Sequence, residues 1–224
     1  MKYAWSFLSS LSLCEEGVSL SEIEIQPKTK QDNHYHQYFF HRNAIPLKKG
    51  TWAWSNKNLV IGTLDIGLTD RLSISLSAGY LLIFVPIGMG LQYTIISNKW
   101  FHWDLGIHLG GNFGLQNPFI PVSTFTFGNP TSNLSVKFFS SVENPSFSYM
   151  IAGYRKVSSS ISIIGEYNQN LLLDSQVTLA LAGFRFLLGS KFSCDVGMVA
   201  IHPEDNDLML YPWVGLNVPL FPSE

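Results

Sequence analysis

Hydrophobic and polar positions alternate along most of this chain, and residues 58–80, NLVIGTLDIGLTDRLSISLSAGY, show the pattern most fully. Leu72, Ile74, Leu76, Ala78 and Tyr80 fall on one row, and Arg71, Ser73, Ser75, Ser77 and Gly79 on the other. Strand side chains point to opposite faces with period two, so this run predicts a strand with one oily and one small, polar face. Just upstream, Val60, Leu64 and Ile66 oppose Thr63, Asp65 and Gly67. Leu68-Thr69-Asp70-Arg71 lies between the two runs, with an aspartate able to bond its own backbone in a turn. The unit is a long β-hairpin, greasy on one side and wet on the other.

The same unit recurs downstream. Val85, Ile87, Met89, Leu91, Tyr93 and Ile95 alternate with Pro86, Gly88, Gly90, Gln92 and Thr94. Phe101, Trp103, Leu105, Ile107, Leu109, Gly111 and Phe113 then alternate with His102, Asp104, Gly106, His108, Gly110 and Asn112. That run exceeds the roughly five or six residues of a common soluble strand and suits the roughly nine to eleven of a membrane strand. Further strands are predicted at 119–127, 133–142, 146–157, 160–168, 176–188, 191–201 and 207–218. With an opening strand at Tyr38-Phe39-Phe40-His41-Arg42, the pattern predicts twelve strands, or ten if the first pair is outside the wall. Tight turns near residues 69–70, 97–99, 128–132, 158–160 and 189–190 alternate with longer connections, as on the two rims of an outer-membrane barrel. Leu81-Leu82-Ile83-Phe84 is too apolar for a watery loop and is expected to extend the flanking strands.

Composition decides what the two faces meet. Charged residues are 13% of the 224, about half the usual share of roughly 25%. Aromatics make up 14%. A soluble sandwich or lipocalin-like cup would put the polar row in water and need Lys and Glu there. Here that row is mainly Ser, Thr, Gly, His and Asn, which suits a narrow, crowded lumen. No apolar run approaches the roughly 20 residues of a membrane helix. The expected fold is therefore all-β: a closed antiparallel transmembrane up-and-down barrel. A net charge of −2 gives no electrostatic footing for nucleic acid.

Residues 1–19 read as a signal peptide, with Lys2, an apolar stretch from Tyr3 to Leu13, and small Gly17 and Ser19 before the expected cleavage. Residues 20–37 form a polar lead-in and 38–220 the barrel. The last strand, with Gly215, Val218 and Leu220, resembles the C-terminal signal by which the barrel-assembly machinery recognises its substrates.

The segments YFFHRNAIPLKKG and NKNLVIGTLDIGLTDRLSIS resemble an uncharacterised family of outer-membrane β-barrel proteins widespread in the Bacteroidota. TFGNPTSNLSVKF, IIGEYN and GFRF followed by SCDVG fit the same pattern. Thr51 stands where the family usually has an acidic residue, and Trp52 and Trp54 where tyrosines are usual. The resemblance implies architecture and an outer-membrane address, and carries no activity.

Candidate chemistry is sparse. His102, Asp104 and His108 share a strand face, but His108 lies roughly 20 Å from His102 at about 3.3 Å per residue, so one metal cannot take all three from this strand. His34, His36 and His41 form a looser group. No Gly-x-Ser-x-Gly elbow occurs, so no catalytic residue, metal or cofactor is assigned. Glu166, Arg185 and Asp195 fall on successive strands, and a charge facing lipid is costly. They are expected in the lumen, with Arg185 bridging both carboxylates. Asp65, Asp104, His102 and His108 extend the network, and Tyr211 and Trp213 add bulk. The lipid-facing band is expected at Leu72, Ile74, Leu76, Phe101, Trp103, Leu105, Ile107, Leu208, Leu210, Val214 and Leu216. The expected role is a narrow passive channel for ions or very small solutes, or a structural or partner-binding membrane component. The alternative is an outer-membrane enzyme acting on lipid or lipopolysaccharide.

Overall fold

A computed structural model of the chain describes residues 35–39, 41–58, 61–79, 88–109, 119–140, 147–169, 177–188, 192–203 and 207–221. Residues 1–34, with the expected signal and His34, and the apolar 81–84 lie outside that set.

The alternating runs form twelve strands: β1 (Trp52–Lys57), β2 (Ile61–Gly67), β3 (Leu72–Gly79), β4 (Gly88–Ser97), β5 (Phe101–Leu109), β6 (Phe119–Asn129), β7 (Ser132–Ser140), β8 (Phe147–Lys156), β9 (Ile161–Gln169), β10 (Val177–Leu188), β11 (Phe192–Pro203) and β12 (Met209–Phe221). Each pairs antiparallel with its chain neighbour, and β1 pairs with β12, so the barrel is closed. Closure removes the exposed sheet edge that would otherwise invite aggregation.

Alternation sorts the residues between two surfaces. Leu76, Leu105, Phe184, Val196, Leu210, Val214 and Leu216 are exposed on the outside, while Ser73, Thr94, Asp104, Thr124, Ser135, Ser162 and Asn217 are buried within. Aromatic rings cover part of the outer wall: Trp103 stacks on Phe125 at 5.8 Å, and Phe125 meets Phe138 edge-on. This polarity is the reverse of a soluble barrel. The outer row of β4 shifts late in the strand. A bulge between Thr94 and Ile96 pairs Ile96 with Trp103, so Ile96, and not the expected Ile95, continues the outward row.

The expected opening strand at 38–42 is not in the wall. The wall begins at Trp52, and β1 replaces that segment in the count of twelve. Burial gives the reason. Tyr38 and Phe39 are consecutive large aromatics, each only 1% exposed, so neither supplies the outward, lipid-facing row that alternation requires of a wall strand. In β1, Ala53 and Ser55 are buried, whereas Trp52 and Trp54 are not.

The described residues 35–39 and 41–50 instead fold back inside the barrel as a hairpin. Tyr38 N donates to His41 O at 2.8 Å and Asn43 N to His36 O at 2.9 Å, while Asn43 Nδ2 reaches Tyr35 O at 2.7 Å. The returning arm leaves through the rim of tight turns, where Gly50 N bonds Gly67 O and Lys49 N bonds the Asp70 carboxylate. Glycine is needed at both ends of this exit. Gly50 has φ +80°, and a Cβ on Gly67 would lie 2.2 Å from Lys48 O.

The inner wall is two-sided, which differs from the expected lining of small polar groups throughout. From β3 to β5 it carries Ser73, Ser75, Ser77, Gly88, Gly90 and Gly106. Across the barrel, Met150, Ile164, Leu181, Val199 and Trp213 point inward and pack with Tyr38 and Phe39 of the hairpin. The barrel thus encloses a hydrophobic core, built on its own N-terminal segment.

Candidate functional site: a plugged lumen

Polar side chains hold the hairpin to opposite walls. Arg42 Nη1 donates to Asp65 Oδ1 at 3.2 Å and to Ser75 Oγ at 2.9 Å, and Nη2 donates to Ser73 Oγ at 3.1 Å. Gln37 Nε2 also donates to Asp65. Ser75 adds its hydroxyl to the same carboxylate, completing a network between plug, β2 and β3. On the far side, Tyr38 Oη lies 2.6 Å from both Asn133 Oδ1 and Ser135 Oγ, and Ala44 N donates to Thr126 Oγ1. His41 Nδ1 and Glu166 Oε1 are 2.5 Å apart. Phe39 packs edge-on against Trp213, with ring centroids 6.0 Å apart.

The charged lumen residues expected from the sequence all face inward, but they meet the plug as well as each other. Arg185 grips Asp195 with a fork, Nε to Oδ1 at 2.7 Å and Nη2 to Oδ2 at 2.9 Å. Its Nη1 turns to the plug and donates to Gln37 O at 3.2 Å. Glu166 has His41 of the plug as a hydrogen-bond partner. Asn217 Nδ2 adds a bond to Asp195 Oδ2. Asp65 is the wall anchor of Arg42. Asp104 and His102 face a different sector, where Gln92 Nε2 donates to Asp104 Oδ2 and Ser97 Oγ lies 2.9 Å from His102 Nδ1. His108 sits over Gly90. Trp213 is buried against Phe39, while Tyr211, on the same row nearer the strand end, is exposed.

Leu72, Ile74, Leu76, Phe101, Trp103, Leu105, Ile107, Leu210, Val214 and Leu216 lie on outward rows, and Leu208 is exposed immediately before β12. Among the described residues no group of His, Cys, Asp and Glu has the geometry of a metal site. His36 and His41 are engaged with plug and wall, with His36 Nε2 3.7 Å from Asp65 Oδ2. Burial holds the His36 imidazole below the ordinary histidine range, against the pull of Asp65 in the other direction.

Sequence reasoning missed Arg42, Gln37, His41 and Lys137 as lumen residues. For the plug residues the available signal was the aromatic pair Tyr38-Phe39, which breaks alternation. For Lys137 it was parity, since Asn133, Ser135 and Phe139 share its row.

The fold of this closed barrel has counterparts among solved structures. The chain shares its fold with the KdgM porin. The TM-score is 0.57 at 8% identity, over 75% of this chain and 96% of that one. A NanC porin structure gives 0.53 at 8% identity, over 77% and 99%. The KdgM porin in complex with disordered oligogalacturonate gives 0.51 at 10% identity, over 75% and 96%. No family model and no curated protein matches the chain. Identities this low establish a porin-like architecture and nothing about solute.

Proposed function

We propose that this protein is a bacterial outer-membrane barrel forming a narrow channel for ions or very small solutes, constricted by its own N-terminal hairpin. The observation that carries the reading is the inverted polarity of a closed barrel. Its exterior presents Leu, Phe, Val and Trp rows, and its interior holds Arg185, Asp195, Asp65, Glu166 and Lys137 beside the plug. Outward apolar rows on a closed sheet suit a bilayer, because every backbone group finds its partner within the wall. Lipid is then the partner of the outer band. The barrel-assembly machinery is the proposed reader of β12, the strand that seals the seam with β1.

The plug limits what passes. Twelve strands fall between the roughly eight whose interior is filled by side chains and the roughly 16–18 that leave an aqueous channel, and the hairpin narrows that lumen from within. Large sugars are excluded from such a passage. The resemblance to the Bacteroidota outer-membrane family supports the same address.

The test begins with membrane fractionation and the heat-dependent gel shift of folded barrels. Purified protein in planar bilayers should then show small, discrete KCl conductance steps. A protein that fractionates with the outer membrane, folds, and never conducts would instead be a structural or partner-binding component. Release of acyl chains from mixed micelles would establish the enzymatic alternative.

A further inference from the structure

We propose that the tight-turn rim binds anionic phospholipid, with the cations of Arg71, Lys99, Arg155 and Lys156 meeting headgroup phosphates of the adjacent leaflet. The inference rests on the membrane placement proposed above and goes beyond the channel reading.

Charge divides the two rims. Away from the tight turns, the connections at 141–146, 170–176 and 204–207 carry Glu143, Asp174, Glu204, Asp205 and Asp207, and no connection at that end carries a lysine or arginine. At the other end Lys48, Lys49, Arg71, Lys99, Arg155 and Lys156 gather round the tight turns, all exposed except the half-buried Lys156. Asp70 is the acidic residue among the described ones there, and its carboxylate already accepts Lys49 N. The chain's net charge of −2 conceals this separation.

Backbone hydrogen bonds join the basic residues into an arc. Thr94 N of β4 donates to Arg71 O at 2.8 Å, tying the β2–β3 turn to the strand that runs toward Lys99. Gly128 N donates to Trp100 O and Lys156 N to Thr131 O, each at 2.8 Å. The turns after β4, β6 and β8 therefore adjoin one another along the rim.

These cations have no protein counter-ion. Among the described residues no carboxylate forms an ion pair with Arg71, Lys99 or Arg155. The wall beside them is apolar: Trp100, Phe127, Val157 and Leu188 are each more than half exposed. Lys99 Nζ lies 5.1 Å from the centroid of the Trp100 ring. Aromatic rings and long basic side chains collect where hydrocarbon gives way to headgroups, the ring in the apolar layer and the cation reaching outward. Arg155 carries the argument furthest. It falls on the outward row of β8 with Phe147 and Ile151, and its cross-strand neighbour Ile163 is exposed on the same face. A guanidinium on a lipid-facing row is costly unless it reaches the interface and meets an anion there. A headgroup phosphate suits its planar fork, which bonds two oxygens at once. A zwitterionic headgroup brings its own cation and leaves the surplus positive charge of the arc uncompensated. A net-negative headgroup compensates it.

The test is electron paramagnetic resonance of spin-labelled phosphatidylglycerol and phosphatidylcholine in bilayers holding the full chain, with folding checked by the heat-dependent gel shift. At low salt the motionally restricted fraction of phosphatidylglycerol should be at least twice that of phosphatidylcholine, and about 0.5 M sodium chloride should diminish the preference. Arg71→Gln, Lys99→Gln and Arg155→Gln combined should bring the ratio close to one. Arg155→Gln alone should lower it, and serves if the combined variant fails to fold. Equal restriction of the two lipids by the native chain, or a preference unchanged in the variants, would overturn the proposal. Sodium phosphate that abolishes the preference beyond sodium chloride of equal ionic strength would also overturn it, by marking a site for free phosphate. A chain that never inserts refutes the membrane placement and this surface with it, whereas an inserted chain without lipid preference loses this surface alone.

Discussion

Arg42 of the plug and Asp65 of β2 form a buried ion pair, 3.2 Å from Nη1 to Oδ1, in which each charge is the other's nearest compensation. Asp65 is fully buried and Arg42 nearly so. Removing one member of such a pair costs about 3–5 kcal/mol, because the other is left as an unpaired buried charge. Arg42→Ala should therefore loosen the plug and raise single-channel conductance. Asp65→Asn in the same chain should return much of the lost stability, read as the midpoint of denaturant unfolding. An Arg42→Ala barrel with unchanged conductance and unfolding would show that the pair does not hold the plug.

Phe39 anchors the hairpin tip by packing rather than by charge. It is buried against Trp213 within the apolar side of the lumen. Truncating a buried Phe to Ala typically costs about 3–5 kcal/mol. Phe39→Ala should free the tip, making residues near 38–41 accessible to protease in folded barrels. Continued protection would mean that the polar contacts suffice.

Acid should weaken plug docking. His36 faces Asp65, with the cations of Arg42 and Arg185 close by, and burial holds its imidazole below the ordinary value of 6.5. A depressed histidine favours the neutral form when docked, so the undocked plug binds more protons. Docking is therefore complete above the ordinary histidine value and weakens as pH falls below it. Conductance at pH 5 should exceed that at pH 8 in the native chain, and His36→Gln should reduce the difference, the remainder coming from His41, which burial holds low in the same way.

The outer band makes a fourth prediction. Leu105 is exposed on β5, and an arginine there should cost about 2–4 kcal/mol if the site lies near the bilayer midplane. His108→Leu, on the inner row of the same strand, should be tolerated. The opposite pattern in heat-modifiability assays would reverse the inside-out assignment.

Much of the wall was legible because period two is a local signal. The strand from Phe101 onward and the hairpin of β2 and β3 announce their faces residue by residue, and Arg185 could be placed inward from its neighbours Phe184 and Phe186. The plug was not legible, because the one local sign, the break in alternation at Tyr38-Phe39, does not say where the segment goes. Its identity rests on partners 95, 125 and 148 residues away, Asn133, Glu166 and Arg185. The partners of Glu166 and Asp65 were hidden for the same reason. A wall considered alone offers them only other wall residues, whereas His41 and Arg42 arrive from the lumen.

Those long separations bear on how the molecule is made. The hairpin lies immediately before β1, yet its contacts reach as far along the chain as β9, β10 and β12. Contacts so remote in sequence are costly in chain entropy and slow to form. In the closed barrel the hairpin sits as a mandrel inside a sheet whose seam is β12 against β1. A barrel of this kind carries at its centre the packed interior that soluble proteins use for cohesion, and part of its folding free energy is independent of the lipid outside.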